Sequence, residues 1–326
     1  MSSTHAVRIH ATGGPEVLHY EEVPLPEPGP REALVRHVAI GVNFIDTYHR
    51  SGLYPLPLPA VIGNEAAGVV EAIGSEVTEV RPGDRVACCS GPRGTYAVRR
   101  VVPAERLVRL PEDIDETMAA AVMLKGLTAE YLIRRCFPVE RGHTVLFHAA
   151  AGGVGSLATQ WLHALGARVI GTVGNAGKVA LARSQGCDEV IDLDREDFVA
   201  RTRELTGGRG VDVVYDSIGK VTFLGSLDCL RPRGMCVLFG NASGKPEPFD
   251  PMLLSIKHSL FLTRPSLHEY VADRDELLTA AHALFDVIRS GTLRVAPPTT
   301  FPLARAADAH RALESRRTTG STILLP

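Results

Sequence analysis

The chain has 326 residues, 45% of them hydrophobic and 22% charged, and its 35 Lys and Arg against 37 Asp and Glu give a net charge of −2. This length allows a large core and commonly two domains. The near-neutral charge argues against a nucleic-acid-binding or polybasic membrane surface, and no apolar run approaches the roughly 20 residues that span a bilayer. We recognise no signal peptide, and six scattered cysteines are typical of reduced thiols, so we expect a cytoplasmic protein.

The first third of the chain is interrupted by proline and glycine and contains short β-rich runs. We predict strands at 33–40, 67–73, 85–87 and 95–102, separated by turns such as the Pro- and Gly-rich segment 27–30. This pattern predicts an antiparallel, barrel-like domain.

Beyond Asp115 the sequence alternates between helical and β patterns. A long helix is predicted at 117–137, before Pro138. Strands are then predicted at 144–150, 168–173, 189–192, 211–216, 235–239 and 260–263. Helices between them are predicted from Val154 to a C′ glycine at Gly166, and at 178–184, 196–205 and 223–230. Because the strands are almost continuously apolar, we predict a parallel sheet with helices on both faces.

The tail is expected to return to the first domain. It is predicted to be helical at 273–290, extended at 295–298, helical at 304–315 and β at 321–325. The glycine-rich segment 207–210 lies between a helix end and a strand start, which is the wrong end of a parallel sheet for a ligand, so we interpret it as a turn.

The segment 146–155 is the most informative in the sequence. An apolar strand enters a glycine-rich turn and a helix follows at once, as in a dinucleotide fingerprint. Such a turn brings the backbone and the helix N-terminus close to a pyrophosphate. Ala150 stands where the fingerprint has its first glycine, and Gly152 and Gly155 supply the other two. The alternative is a tight strand–helix turn without a ligand.

The end of the next strand predicts which dinucleotide binds. NAD-selective sites carry an acid there for the ribose 2′-hydroxyl, whereas this chain has Gly171 to Gly174 and then Lys178. A missing carboxylate and a nearby cation favour NADPH. The alternative is that Lys178 is a solvated helix lysine.

The chain resembles the zinc-free medium-chain dehydrogenases/reductases. It is most similar to the bacterial NADPH:quinone oxidoreductases, the zeta-crystallin-like group. The resemblance covers essentially the whole chain. It is carried by the segments 13–18, 41–48, 50–54, 63–68, 82–86, 124–128, 148–155, 214–217, 239–241 and 263–267.

The resemblance implies an α/β protein with a GroES-like antiparallel β-barrel catalytic domain, formed by 1–125 and 265–326, and a Rossmann doubly wound parallel sheet at 126–264. It also implies a homodimer. The cofactor contacts that it implies are Asn43, Tyr48, Tyr54, Thr128, Gly152, Gly153, Val154, Gly174, Lys178, Ser217, Phe239, Asn241, Ser243 and Arg264. The dinucleotide fingerprint adds Ala150 and Gly155 to the predicted cofactor-binding residues. One position departs from the pattern: Leu193 stands where relatives often have a tyrosine near the adenosine phosphate, so the NADPH preference depends mainly on Lys178.

We expect no metal. Alcohol dehydrogenases of the superfamily carry a zinc-ligating Cys at the position of Asn43 and a His at that of Asn64, and asparagine is a poor zinc ligand. The region of the structural-zinc lobe offers only Cys88 and Cys89. Glu65 is then expected to be structural. The histidines at 148, 163 and 258 have no paired ligand spacing and are interpreted as core or surface residues.

Without a Lewis acid, a quinone or an activated alkene is a better hydride acceptor than a ketone, because its conjugated system already accepts the electrons. We expect Asn43 and Tyr48 to orient the nicotinamide and the acceptor. Tyr54 is the first candidate for a hydrogen-bond donor or acid, although a quinone can take protons from water and each tyrosine can simply pack at a cleft. Lys125 and Arg264 are further cations near this region, with structural ion pairs as the alternative.

The sequence therefore predicts an NADPH-dependent reductase of small quinones or related conjugated carbonyls. A reductase of enals, enones or enoyl thioesters, with Tyr54 as the proton donor, is the second hypothesis. The third is an NADPH-binding sensor, structural protein or RNA binder. The sequence has no basic patch interleaved with aromatic residues, and its 6% aromatics are few for stacking on bases, so we expect no nucleic-acid partner. Because no apolar run is long enough to span a bilayer, we expect no membrane partner either.

Overall fold

The computed structural model describes residues 2–315 and 319–326. It divides into two compact units. The first consists of Met1–Leu127, Val271–Phe285 and Val295–Pro326, and the second of Thr128–Tyr270 and Asp286–Arg294. The first unit thus takes up most of the tail, whereas the short segment Asp286–Arg294 belongs with the second unit. None of the helices that the structure describes is both long and apolar enough to cross a membrane.

The strands and helices are numbered along the chain. The strands are β1 (Ser3–Ile9), β2 (His19–Pro24), β3 (Glu32–Val42), β4 (Ala60–Val61), β5 (Glu65–Ile73), β6 (Arg85–Cys88), β7 (Arg99–Pro103), β8 (Val108–Arg109), β9 (Thr144–Phe147), β10 (Arg168–Val173), β11 (Glu189–Asp192), β12 (Val211–Asp216), β13 (Leu230–Leu238), β14 (Phe261–Thr263), β15 (Thr299–Pro302) and β16 (Thr322–Leu325). The α-helices are α1 (Phe44–Arg50), α2 (Glu116–Tyr131), α3 (Gly153–Ala164), α4 (Val179–Ser184), α5 (Phe198–Leu205), α6 (Phe223–Asp228), α7 (Met252–Ile256), α8 (Leu267–Tyr270), α9 (Arg274–Arg289) and α10 (Ala306–Glu314).

The first unit contains two sheets. One has the order β2-β1-β4, and the other has the order β15-β16-β3-β5-β6-β8 with β7 also paired to β3. The pairings are antiparallel except that β15 and β16 run parallel. The predicted antiparallel domain is therefore confirmed, but its two sheets do not form one strictly closed barrel. Inward-facing side chains such as Ile9, Val35 and Ile40 form its core.

The second unit is a six-stranded sheet in the order β11-β10-β9-β12-β13-β14, and every adjacent pair is parallel. In sequence order the strands therefore read 3-2-1-4-5-6, the doubly wound order of dinucleotide-binding folds. The predicted parallel sheet is confirmed. Buried residues of its strands, including Leu146, Ile170 and Val214, form the core.

The predicted helix at 117–137 changes its winding near its end. α2 ends at Tyr131 and continues as a π-helical turn, Leu132–Cys136. The Tyr215 hydroxyl donates to the Leu132 carbonyl at 3.1 Å and to the Phe137 carbonyl at 3.3 Å. The Leu132 carbonyl also accepts Phe137 N at 3.2 Å, so the side chain from β12 adds a second hydrogen bond there and supplies one to the Phe137 carbonyl at the helix end.

Several other elements differ from the prediction. The strand predicted at 144–150 ends at Phe147, because the chain leaves the sheet at His148 to form the glycine-rich turn. The strand predicted at 95–102 begins only at Arg99. Residues 295–298, expected to be extended, belong to no regular element, and the strand β15 begins directly after them at Thr299. β1, β2 and α1 were not predicted. α1 has only seven residues, which is too short for a clear helical period.

Candidate active site in two parts

The turn after β9 exposes a row of backbone N–H groups. Ala149 adopts a left-handed φ of 54°, and Gly152 N donates to the Ala149 carbonyl at 2.8 Å. Gly152 is the N-cap of α3 and its helix end has no side-chain cap. The N–H groups of Gly153, Val154 and Gly155 therefore lack intrahelical partners. Together with the positive end of the helix dipole, these donors suit a pyrophosphate.

Close backbone packing explains the small residues of this turn. A Cβ on Gly155 would collide with the Ala149 carbonyl oxygen and lie 2.7 Å from that of Ala150. A Cβ on Gly171 would lie 2.7 Å from the Ala150 Cβ. The glycine on β10 therefore makes room for the methyl group of Ala150, so alanine is accepted where the dinucleotide fingerprint has its first glycine. The turn fits a dinucleotide phosphate.

The end of β10 carries no carboxylate of its own. Gly174 is exposed, and Lys178 ends the 3-10 turn that follows. The neighbouring strand supplies an acid, Asp192, opposite Val173. That carboxylate is buried, and its Oδ1 accepts the N–H of Asp194 at 3.2 Å, so it belongs to its own turn. Leu193 follows it and bonds Val173 through its backbone. The strand thus ends without an acid of its own, and Lys178 follows it in the next turn, as the sequence predicts.

The remaining predicted cofactor residues of the second unit follow the strands β12, β13 and β14 at the carboxyl edge of the sheet. The Ser217 carbonyl accepts Ala242 N at 3.1 Å, and the Ser243 hydroxyl donates to the Ile218 carbonyl at 2.8 Å. The Arg264 guanidinium donates to the Leu238 carbonyl at 2.8 Å. Phe239 and Asn241 lie with Ser243 in the loop after β13. Thr128 does not follow a strand and is buried in α2. Carboxyl ends of parallel strands are where such folds bind ligands.

A buried polar network beneath the turn was not predicted in this form. His148 bonds the Thr172 hydroxyl at 2.9 Å and the Ser226 hydroxyl at 3.0 Å, and Ser226 donates to Asp216 Oδ2 at 2.8 Å. Burial lowers the pKa of His148, so its ring is neutral and bridges β9, β10 and α6. The sequence left core and surface open for His148, and the structure shows it in the core. Asp216 also accepts the N–H groups of Ile218 and Gly219, which fixes the loop after β12.

In the first unit, Asn43 begins α1 and is anchored by two carboxylates. Asn43 and Asp46 form a capping box, with Asn43 N donating to Asp46 Oδ2 at 2.8 Å. Asn43 Nδ2 donates to Glu65 Oε2 at 2.8 Å, and Asn64 Nδ2 donates to Asp46 Oδ1 at 2.7 Å. The two asparagines that replace zinc ligands thus each donate to a buried carboxylate. Glu65, expected to be structural, also accepts Leu124 N at 2.7 Å and Lys125 Nζ at 3.0 Å.

The two predicted tyrosines lie against one another. The rings of Tyr48 and Tyr54 meet edge to face with centroids 5.3 Å apart, and Tyr54 N donates to the Tyr48 carbonyl at 3.0 Å. Both side chains are partly buried, and the His49 ring also packs edge to face against Tyr54, with centroids 5.8 Å apart. α1 therefore brings Asn43, Tyr48 and Tyr54 onto one short segment of the first unit.

The sequence reasoning missed the residues that hold α1 from beneath. The Tyr96 hydroxyl donates to Asp46 Oδ2 at 3.1 Å and lies 2.9 Å from His310 Nε2. Arg50 donates to His310 Nδ1 at 3.1 Å and pairs with Glu314. Burial raises the pKa of Asp46 to about 6, and burial beside Arg50 lowers the pKa of His310 to about 3. No local pattern could have found this set, because α10 lies more than 200 residues beyond Tyr96.

No group of three or more His, Cys, Asp or Glu side chains within residues 2–315 and 319–326 is arranged to hold a metal ion. All six cysteines are free; Cys136 is partly exposed and the other five are buried. Burial raises the pKa of Cys88 and Cys187, so these thiols are protonated core residues. The segment 207–210 forms a turn at the amino end of β12.

Two regions of the chain match described protein families. Residues 153–273 match the zinc-binding dehydrogenases, and residues 29–112 match the alcohol dehydrogenase GroES-like domain. Together they include α3, which begins directly after the glycine-rich turn of the second unit, and Asn43 and Glu65 of the first.

The chain is similar over nearly its whole length to proteins named as quinone oxidoreductases and to a 2-haloacrylate reductase. A quinone oxidoreductase of Pseudomonas aeruginosa is 53% identical to it over 98% of this chain and 99% of the relative. A 2-haloacrylate reductase of a Burkholderia species is 47% identical over 98% of both chains. The crystal structure of an Escherichia coli quinone oxidoreductase complexed with NADPH matches it over the full length of both chains, with 46% identity and a TM-score of 0.97.

Proposed function

The chain belongs to the quinone oxidoreductases of the medium-chain dehydrogenase/reductase family, and we propose that it reduces small quinones or related conjugated carbonyls with NADPH. The uncapped N-terminus of α3 is the observation that carries the proposal, because three backbone N–H groups and closely packed glycines match a dinucleotide phosphate. NADPH supplies the hydride when bound. The protein supplies the placement and the hydrogen bonds around it.

The residues proposed for the chemistry are those on α1 and just beyond it. Asn43 and Tyr48 orient the nicotinamide and the acceptor, and Tyr54 donates a hydrogen bond to the acceptor oxygen as negative charge develops there. The phosphate and ribose contacts belong to the glycine-rich turn, Gly174 and Lys178. The loops after β12 to β14 and Thr128 hold the rest of the cofactor. We keep the domain boundaries proposed from the sequence, 1–125 with 265–326 and 126–264.

The proposal is tested by NADPH oxidation with a panel of acceptors, with metal analysis on the same sample. We expect turnover with 1,4-benzoquinone and 9,10-phenanthrenequinone by protein that contains less than stoichiometric zinc. Turnover with crotonyl-type alkenes alone would instead support the second candidate function. That candidate, reduction of activated alkenes, is favoured by the 47% identity to a 2-haloacrylate reductase.

Lys178→Ala is expected to change the choice of cofactor. Because a lysine–phosphate bond is charge-assisted, its loss should raise the KM for NADPH by about tenfold or more, while the KM for NADH stays within about twofold. Steady-state kinetics with both cofactors check this. Lys257→Ala, another lysine of the second unit, which pairs with Asp228, is the control and should change neither KM. Equal changes for NADPH and NADH would remove the assignment of Lys178.

Tyr54→Phe is expected to separate the two acceptor classes. An alkene needs a proton at carbon and loses a positioned acid, so its kcat should fall by about 100-fold. A quinone oxygen can take its proton from water, so its kcat should fall by less than about tenfold. Tyr20→Phe, at an exposed tyrosine of the same unit, is the matched control. If kcat for quinones stays within about twofold, Tyr54 is not an essential acid in their reduction.

We further propose that the protein is a cytoplasmic homodimer. β14 lies at the edge of the six-stranded sheet, and Phe261 on it is 57% exposed. Met252 and Ile256 of the preceding helix α7 are 61% and 70% exposed. An edge strand beside exposed apolar side chains suits pairing with a second copy. Sedimentation velocity should give the mass of two chains, and a monomer would contradict the proposal.

A further inference from the structure

The first unit contains a buried carboxylate that is surrounded by donors. Glu65 is fully buried, and Lys125, its ion-pair partner, is 6% exposed. Its Oε1 accepts Leu124 N at 2.7 Å, and its Oε2 accepts both Lys125 Nζ at 3.0 Å and Asn43 Nδ2 at 2.8 Å. Gly41 makes room for it, because a Cβ there would collide with Oε2. A buried ion pair is rarely more stabilising than apolar residues of the same size, so this arrangement calls for a reason besides stability.

These contacts fix the orientation of the Asn43 amide. An ionised carboxylate only accepts hydrogen bonds, so the nitrogen of the amide has to face Glu65. The backbone of Asn43 is held as well, because Asn43 N donates to Asp46 Oδ2 at 2.8 Å and the Asn43 carbonyl accepts Asp46 N at 3.0 Å. The residue is therefore fixed at its backbone and at its amide nitrogen. One of the two Nδ2 hydrogens remains, and no other partner for it occurs in the part of the chain that the structure describes.

We propose that Glu65, with Lys125 as its counter-charge, is a positioning residue that makes Asn43 a hydrogen-bond donor to a carbonyl oxygen of the bound ligands. The oxygen belongs either to the carboxamide of the nicotinamide or to the quinone, which share this acceptor chemistry. The inference rests on the proposed function. It adds a direction to the hydrogen bond of Asn43, and it gives a role to Glu65 and Lys125, which do not have to touch the ligands.

Exchange of the two side chains tests the proposal. Glu65→Gln places an amide among three donors, so one donor–donor contact is unavoidable and the melting temperature should fall. In the double variant Asn43→Asp/Glu65→Gln, the carboxylate moves to position 43. There one of its oxygens accepts from the new amide at position 65. The Lys125 ammonium, which donates to the same Oε2 as Asn43 in the natural protein, can turn to its other oxygen and so avoid the donor–donor contact. Stability should therefore return, but position 43 then has no side-chain N–H to donate.

We expect the double variant to melt within about 3 °C of the natural protein, while its kcat/KM for 1,4-benzoquinone stays about 100-fold lower, as for the loss of one preorganised donor. The affinity for NADPH, measured without quinone by fluorescence titration, identifies the acceptor. A weaker affinity places it on the nicotinamide, and an unchanged affinity with a lower kcat places it on the quinone. Glu130→Gln, at a buried carboxylate that pairs with Arg135 in the second unit, is the control and should affect stability alone.

Two outcomes overturn the proposal. If the double variant regains both stability and activity, Asn43 has only a structural role. If it regains neither, the contact between Asn43 and Glu65 is not the one that holds the site. Failure of the proposed function would give a different result, because the natural protein itself would then bind NADPH without reducing any quinone. The role of Glu65 is tested instead by the difference between the variants and the natural protein.

Discussion

Gly155→Ala should abolish NADPH binding at concentrations that saturate the natural protein. The added Cβ would collide with the Ala149 carbonyl oxygen and lie 2.7 Å from the Ala150 carbonyl oxygen. Backbone atoms cannot move aside as the end of a flexible side chain can, so the turn has to open. Opening would displace the three N–H groups at the start of α3 from the position of the phosphate. We expect at least about a 100-fold loss of affinity, from losing two or more charge-assisted hydrogen bonds.

Fluorescence titration with NADPH and thermal melting check this prediction. Gly177→Ala is the matched control, because a Cβ there meets only the Asn175 side-chain oxygen, at 3.2 Å. That variant should bind NADPH within about threefold of the natural protein. An undiminished affinity in Gly155→Ala would show that phosphate recognition does not depend on the backbone of this turn.

Acid should destabilise the first unit through His37. This ring is buried, and its Nδ1 donates to the Ala97 carbonyl at 2.7 Å. Burial, and then the nearby Arg100 cation, lower its pKa from 6.5 to about 3. Between these two values the unfolded chain binds a proton that the folded chain does not. Stability due to this group is therefore complete above about pH 6.5 and is lost as the pH falls toward 3.

His37→Asn should reduce this loss, because the asparagine amide can replace the Nδ1–H donor and does not titrate. Each pH unit in the window corresponds to about 1.4 kcal/mol. Between about pH 7.5 and 4.5 the natural protein should therefore lose about 3 kcal/mol more free energy of unfolding than the variant. Urea titrations at both pH values measure the difference. His163→Asn, at an exposed histidine, should behave like the natural protein. Equal losses in all three proteins would contradict the assignment of His37.

Patterns that repeat over a few residues were sufficient to predict the second unit. Continuous apolar strands and alternating helices predicted its parallel sheet, and the segment 146–155 predicted the phosphate-binding turn. The glycines are required by contacts a few residues away, as between Gly155 and Ala149, or on the adjacent strand, as between Gly171 and Ala150. Short-range sequence therefore carries most of the information for this half of the site.

The first unit was harder to predict because its contacts join distant parts of the chain. Asn43 and Tyr54 were named from the family resemblance. The partners that hold Asn43 and its helix could not be found in this way, because Glu65 lies 22 residues from Asn43 and His310 lies 214 residues from Tyr96. The π-helical turn was missed for the same reason, since it is accommodated by Tyr215 on a distant strand.

By itself, the sequence determined the two-part α/β architecture, the dinucleotide-binding turn, the lysine in place of an acid after β10, and the loss of the zinc ligands at Asn43 and Asn64. Each of these depends on residue type at a fixed local spacing. Only the tertiary structure decided what replaced the ligands: two asparagine amides, each donating to a buried carboxylate, with Lys125 balancing the charge of Glu65. A buried charge has to find its partners in space, and nothing in the local spacing of the chain records where they are.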